Sequence, residues 1–346
     1  MKTVAAILVE TGKPLAVEEI EIPALRPGQV LVELAYSGAC HTQVLEARGH
    51  RGEDKWLPHL LGHEGTGTVV EIGSGVAKVK PGDRVVLSWI RGSGMEAGGA
   101  VYDWDGRRVN AGGVTTFQRH AVASENRLTP LPPELPMDLA VLLGCAAPTG
   151  MGVVLNVGRV RAGDAVAVFG AGGIGLNAVM AAAHAGARPL IAVDPQPAKR
   201  ELALAFGATD SIDPAAEDAV AAIRRVAPQG LDVAIEATGI PSVMDQALRA
   251  CRPQGGRAIV VGNARFGETL ALDPGLFNQG KSLLGTWGGD SQPDRDYGRY
   301  GRLIASGRFD VRRLMSEPYR LDDVNAALDD LEAGRIGRPL IDMSLV

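Results

Sequence analysis

The stretch from Val166 to Asp194, VAVFGAGGIGLNAVMAAAHAGARPLIAVD, constrains the fold more than any other part of the chain. Val166–Phe169 is a short apolar run suited to a strand buried on both faces. Gly170-Ala171-Gly172-Gly173-Ile174-Gly175 follows in the pattern G-x-G-x-x-G, and an Ala-rich segment long enough for about three helical turns comes next. A second apolar run ends at Asp194. In that order Gly170 permits a tight strand-to-helix turn, Gly172 lets a pyrophosphate approach the backbone, and Gly175 lets helix and strand pack closely. Gly173 and Ile174 open the helix, whose free N–H groups and positive dipole end suit phosphate. Asp194 lies about 20 residues further on, where an acid accepts hydrogen bonds from an adenosine ribose. Its charge would repel a 2′-phosphate, so NAD is expected over NADP. The bland alternative is a Gly-rich turn in an ordinary α/β domain; strand, helix, strand and acid in register weigh against it.

At 346 residues the chain exceeds one ordinary core, so two domains are expected. Apolar content of 46% and charged content of 22% are those of a soluble globular protein. A net charge of −5 leaves no basic footprint for nucleic acid, and no apolar run reaches membrane-spanning length. Three widely spaced cysteines argue against a disulfide framework and suit a reducing cytoplasm. Residues 1 to about 35 read as hairpin strands, the residues up to Ala47 as a short helix, the stretch after His63 as strand-rich, and 91–113 as an irregular Gly-rich lobe. From Val166 strands and helices alternate, which implies a parallel sheet covered by helices. The alternation stops near residue 289, and two helices and a last strand close the chain.

Outside the nucleotide motif lie three candidate metal ligands, Cys40, His63 and Cys145. Two thiolates and an imidazole form a soft set that suits Zn²⁺ and leaves a fourth position open. By itself, a cysteine in an apolar run is more often a small buried hydrophobe than a ligand. The residues are far apart in sequence, so spacing alone leaves both readings standing.

The motifs SGACHT at 37–42, LLGHEGTGTVVEIGSGV at 60–76, VKPGDRVV at 79–86, LLGCAAPTGMG at 142–152 and VAVFGAGGIG at 166–175, with Asp194, occur in one order. In these the chain resembles the zinc-dependent medium-chain alcohol dehydrogenases over essentially its full length. The resemblance implies an α/β fold in two domains: a GroES-like β-barrel catalytic domain at 1–146 and 290–346, and a Rossmann doubly wound NAD-binding domain at 147–289. It implies that Cys40, His63 and Cys145 hold a catalytic zinc, that Glu64 tunes or transiently joins the metal shell, and that Thr42 hydrogen-bonds the substrate oxygen and starts its proton relay. For the cofactor it implies His41 and Arg338 at the pyrophosphate, Thr149 at the nicotinamide, and Lys199 near the adenosine ribose beside Asp194. Trp89 falls where the family has an aromatic wall of the substrate pocket. The implied reaction is reversible hydride transfer between an alcohol and NAD, giving an aldehyde or ketone, in a homodimer or homotetramer. Rival readings are a metal-free reductase or quinone oxidoreductase on the same fold, and a non-catalytic NAD-binding protein.

Three departures stand out against that pattern. The lobe 91–113 has none of the four clustered cysteines that bind a structural zinc in many members, so one zinc per chain is expected. Leu45 occupies the place of a relay histidine. Gln43 replaces an aspartate that supports the ligand imidazole, and it is expected to accept a hydrogen bond there without adding charge.

Overall fold

A computed structural model describes residues 1–345, which divide into two compact units. One comprises Met1–Cys145 and the residues from Gln292 onward; the other is Ala146–Ser291.

In the first unit, strands Lys2–Leu8, Ala16–Glu21, Val101–Trp104, Arg107–Asn110 and His59–Leu60 close a small barrel. A seven-stranded sheet adjoins it. Its order runs Leu128–Pro130, Arg84–Ser88, Glu64–Ile72, Gln29–Gly38, Arg338–Asp342, Met315–Tyr319, and His120–Ser124 also pairs with Gln29–Gly38. Gln29–Gly38 is thus the spine, and Val30, Val32 and Leu34 on it pack with Val85, Leu87, Phe117 and Ile341 in one core. The lobe 91–113, expected to be irregular, contains a hairpin, Val101–Trp104 against Arg107–Asn110. Asp105 and Gly106 turn it with positive φ, a turn signal that the surrounding glycines hid.

The beginning of that lobe is tied down by Glu125. Its carboxylate is 2% exposed and accepts the backbone N–H groups of Ala77 (2.6 Å), Lys78 (2.7 Å) and Met95 (2.7 Å). Burial pushes this carboxyl up, but the N–H groups of Met95, Lys78 and Ala77 outweigh it and hold the group below its usual range. A depressed carboxylate stabilises fully above its unfolded value, about 4.3, and loses that contribution as pH falls through the folded value. Glu125→Gln is therefore expected to destabilise the protein at neutral pH, with the gap to wild type narrowing in acid. Denaturant midpoints across pH check this, and a gap that stays constant would refute it.

The second unit is a six-stranded parallel sheet in the order Asp210–Ile212, Leu190–Val193, Val166–Phe169, Val233–Glu236, Arg257–Val260, Ser282–Gly285. Helices Gly173–Ala185, Pro197–Ala205, Ala219–Val226 and Pro241–Ala250 join the strands. The order reverses direction at Val166–Phe169, which makes the unit a Rossmann sheet with its switch point beside that strand's C-terminal end. The edge strand Ser282–Gly285 gave no signal in the sequence, being short and mostly exposed. Gly175 is needed where it stands: a Cβ there would collide with the Gly170 carbonyl. Cys251, the third cysteine, is fully buried in the core of this unit, and burial pushes its thiol up to about 12, away from the reactive thiolate. Among the described residues no single helix is long and apolar enough to cross a membrane.

Candidate functional site

The first unit's sheet register gathers the separated motifs. Glu64 pairs opposite Ser88, so His63 and Trp89 extend from neighbouring strand ends. Their rings meet edge to face with centroids 6.4 Å apart. On the spine's other side Leu340 pairs opposite Gly38, and two residues further that register sets Arg338 against Cys40. Two residues past the spine, Cys40 is the N-cap of the short helix His41–Ala47, its sulfur accepting the Thr42 N–H at 3.5 Å. Cys145 follows the turn Val141–Gly144. The Gly144 carbonyl accepts from the Ser88 hydroxyl (2.8 Å), which itself lies 2.6 Å from the buried Tyr297 hydroxyl. Gly144 must lack a side chain, since a Cβ would sit 2.7 Å from the Glu64 Cα.

The result is one cluster. The sulfurs of Cys40 and Cys145 and a ring nitrogen of His63 all lie within 4.8 Å of one another, and His63 Nε2 is 3.2 Å from Cys145 Sγ. Cys40 and Cys145 are buried. The Cys145 S–H donates to the Cys40 sulfur and, against burial and with help from His63, holds the Cys40 thiol well below its usual range. The same bond, with burial, drives Cys145 upward. Burial opposes a charge on His63, but the Cys40 thiolate outweighs it and raises the imidazole. Two sulfurs and an imidazole converging in this way fit a Zn²⁺ ion, with one coordination position left for another ligand.

Around the cluster runs a second layer. Glu64 is fully buried and pairs with Arg338, itself 3% exposed, at 3.1 Å. Arg338 also donates to the Ala39 carbonyl at 3.1 Å. Burial lowers this guanidinium, but Glu64 and then the two cysteines raise it further, so it stays charged. Arg338 is thus no surface charge. Gln43 differs from expectation: its amide carbonyl accepts the Cys40 N–H (3.0 Å) and its NH₂ group faces His63 Nδ1 at 2.5 Å, so it donates to the imidazole. His41 is exposed and Thr42 half-buried at the start of the same helix.

In the second unit the glycine turn is held by the acid at the next strand end. Asp194 is 5% exposed; its carboxylate accepts the N–H groups of Ala171 (2.8 Å) and Gln196 (2.9 Å). Gly170, Gly172, Gly173, Ile174 and Gly175 therefore lie in one turn and helix start with Asp194 clamped beneath them. Lys199 is half-buried on the following helix. Its neighbour Arg200 is the cation on Asp194, donating to the Asp194 carbonyl at 2.7 Å and pairing with Asp213 at 3.2 Å. Thr149 is buried with a hydroxyl that has no protein partner. Ser88, Tyr297, Arg200 and the donor role of Gln43 were not read from the sequence, because none lies in a motif and each acts through a contact made across the fold.

Residues 26–133 match the family model "Alcohol dehydrogenase GroES-like domain", and residues 173–306 match "Zinc-binding dehydrogenase". The chain is 35% identical to an NDMA-dependent alcohol dehydrogenase of Amycolatopsis methanolica, covering 99% of each chain. It is 35% identical to a geraniol dehydrogenase of Castellaniella defragrans, covering 97% of this chain and 96% of that one. Among solved structures, a benzyl alcohol dehydrogenase from Acinetobacter calcoaceticus superposes with a TM-score of 0.91 at 30% identity, over 99% of this chain and 100% of that one. Full-length similarity at this level, together with the converged Cys-His-Cys cluster, shows that the chain belongs to the zinc-type medium-chain alcohol dehydrogenases, oxidoreductases that act on CH–OH groups.

Proposed function

We propose that this protein oxidises a small-molecule alcohol to an aldehyde or ketone, reversibly, with NAD as hydride acceptor and one zinc per chain. The observation that carries the reading is the convergence of Cys40, His63 and Cys145 within 4.8 Å, with Trp89 packed on the imidazole. These three residues would hold the zinc, which when bound supplies Lewis acidity that lowers the pKa of an alcohol hydroxyl. Thr42, half-buried at the second helical position after the Cys40 cap, takes the role of hydrogen-bonding the substrate hydroxyl and moving its proton. Trp89 forms an apolar wall for the substrate. Glu64, held by Arg338, sets the field on the cluster.

The glycine turn Gly170–Gly175 offers its helix N-terminus to the pyrophosphate of NAD, and His41 and Arg338 add positive charge for it. Thr149 packs the nicotinamide. Asp194 and Lys199 address the adenosine ribose, and the buried charge of Asp194 excludes a 2′-phosphate. Leu45, at the relay position, can carry no proton, so the path onward from Thr42 does not run through that side chain. A homodimer or homotetramer in the cytoplasm is the proposed state.

Metal analysis of the purified chain, with an alcohol panel run against NAD⁺ and NADP⁺, tests this. The expected result is one equivalent of zinc and alcohol-dependent formation of reduced nicotinamide, with NAD⁺ preferred by about 10-fold or more. Full turnover without bound metal would favour the metal-free reductase, two equivalents would refute the single site, and a preference for NADP⁺ would refute the role given to Asp194.

A further inference from the structure

Gln43 is 1% exposed and lies between two members of the cluster. Its carbonyl accepts the Cys40 N–H at 3.0 Å, and its Nε2 is 2.5 Å from His63 Nδ1. A backbone N–H can only donate, so the amide has one satisfying orientation, with oxygen toward Cys40 and NH₂ toward His63. An NH₂ group also only donates, so Nδ1 accepts and the imidazole proton sits on Nε2, beside Cys145 Sγ at 3.2 Å. That chain of bonds is complete, but it leaves no Nε2 lone pair for a metal. A neutral imidazole that ligates through Nε2 carries its proton on Nδ1, and it would then face the amide NH₂ donor to donor.

We propose that Gln43 is a positioning residue that opposes the ligating tautomer of His63, so that holding a metal here requires the Gln43 amide to turn over and release the Cys40 N–H at the helix cap. The proposal rests on the reading of the cluster as a metal site. A cavity of about 510 Å³ lined in part by Gln43, Glu46, His63 and Thr115 adjoins the amide and gives it room to turn. A carboxylate at position 43 would serve both donors at once, one oxygen to the Cys40 N–H and the other to Nδ1–H. Metal retention is therefore coupled to the cap of the helix that carries Thr42.

Two readouts independent of turnover test this. Hydrogen exchange of the Cys40 amide, measured by NMR, is expected to speed up when zinc is added to the wild-type chain and to stay protected in Gln43→Glu. Chelator competition is expected to show Gln43→Glu binding zinc about 10–100-fold more tightly than wild type. Added charge alone would tighten the variant without changing Cys40 exchange in the wild type, so unchanged exchange on zinc loading overturns the proposal. So does a folded Gln43→Glu that binds zinc no more tightly. The wild-type exchange measurement stands even if the variant does not fold. A wild-type chain that takes up no zinc at all overturns the metal reading itself, a result distinct from either of these.

Discussion

Cys40→Ser is expected to abolish alcohol oxidation and to lower zinc affinity by more than the 10–100-fold seen for outer-shell changes, so by about 100-fold or more. The substitution isolates chemistry from folding. Cys40 is the N-cap of His41–Ala47, with extended backbone and a sulfur accepting the Thr42 N–H. Serine is among the best residues at that position, so the helix start is kept or improved. What is lost is a soft sulfur ligand, whose thiol the Cys145 hydrogen bond holds well below its usual range. A hard neutral hydroxyl does not replace it. Inductively coupled plasma analysis after dialysis, beside steady-state assays, checks both parts. A variant that turns over normally without metal would sink the proposed chemistry.

The second large effect concerns stability. Arg338→Leu leaves the Glu64 carboxylate buried without its cation, and removing one partner of such a pair costs about 3–5 kcal/mol. The loss falls on the strand pairing of Arg338–Asp342 with the spine, where Arg338 also serves the Ala39 carbonyl. The double variant Glu64→Gln/Arg338→Leu is expected to recover most of that stability, because no uncompensated charge remains. Denaturant unfolding of wild type, single and double variants forms the cycle. A single variant within about 1 kcal/mol of wild type would show that the pair has no such weight.

The two predictions probe opposite sides of one small volume. The two cysteines belong to the Cys-His-Cys cluster, and the Glu64–Arg338 pair joins the strands beside it. Metal affinity and fold stability are expected to separate in these variants, since Cys40→Ser leaves the ion pair intact.

Local chemistry made the second unit legible from the amino-acid sequence. Apolar runs of strand length, Ala-rich helical stretches and the glycine turn each declare themselves within a few residues, and the Ala-rich segment after the glycines is the helix Gly173–Ala185. The cysteine and histidine identities, the glycine motif and the family resemblance were likewise present in the order of the residues. Short strands without a clear alternation are less legible. Ser282–Gly285 is an exposed edge with no alternation, and the hairpin at 101–110 sits among glycines that mask its pattern.

Only the tertiary structure decided that the candidate ligands form a site. Cys40, His63 and Cys145 converge because Ser37 pairs with Gly65 and because Gly144 bonds to Ser88 opposite Glu64, and register between remote strands is set by packing that no local pattern encodes. The same holds for direction within hydrogen bonds. The sequence shows an amide at position 43, and its identity allows donation or acceptance alike. The Cys40 N–H, fixed by the helix cap, takes the oxygen and leaves His63 the NH₂. Asp194 was named as a ribose acid from its place after the glycines; the fold adds that its carboxylate clamps the glycine turn through the Ala171 N–H. Residue type set what chemistry was available to this chain, and the long-range register determined which of those groups meet.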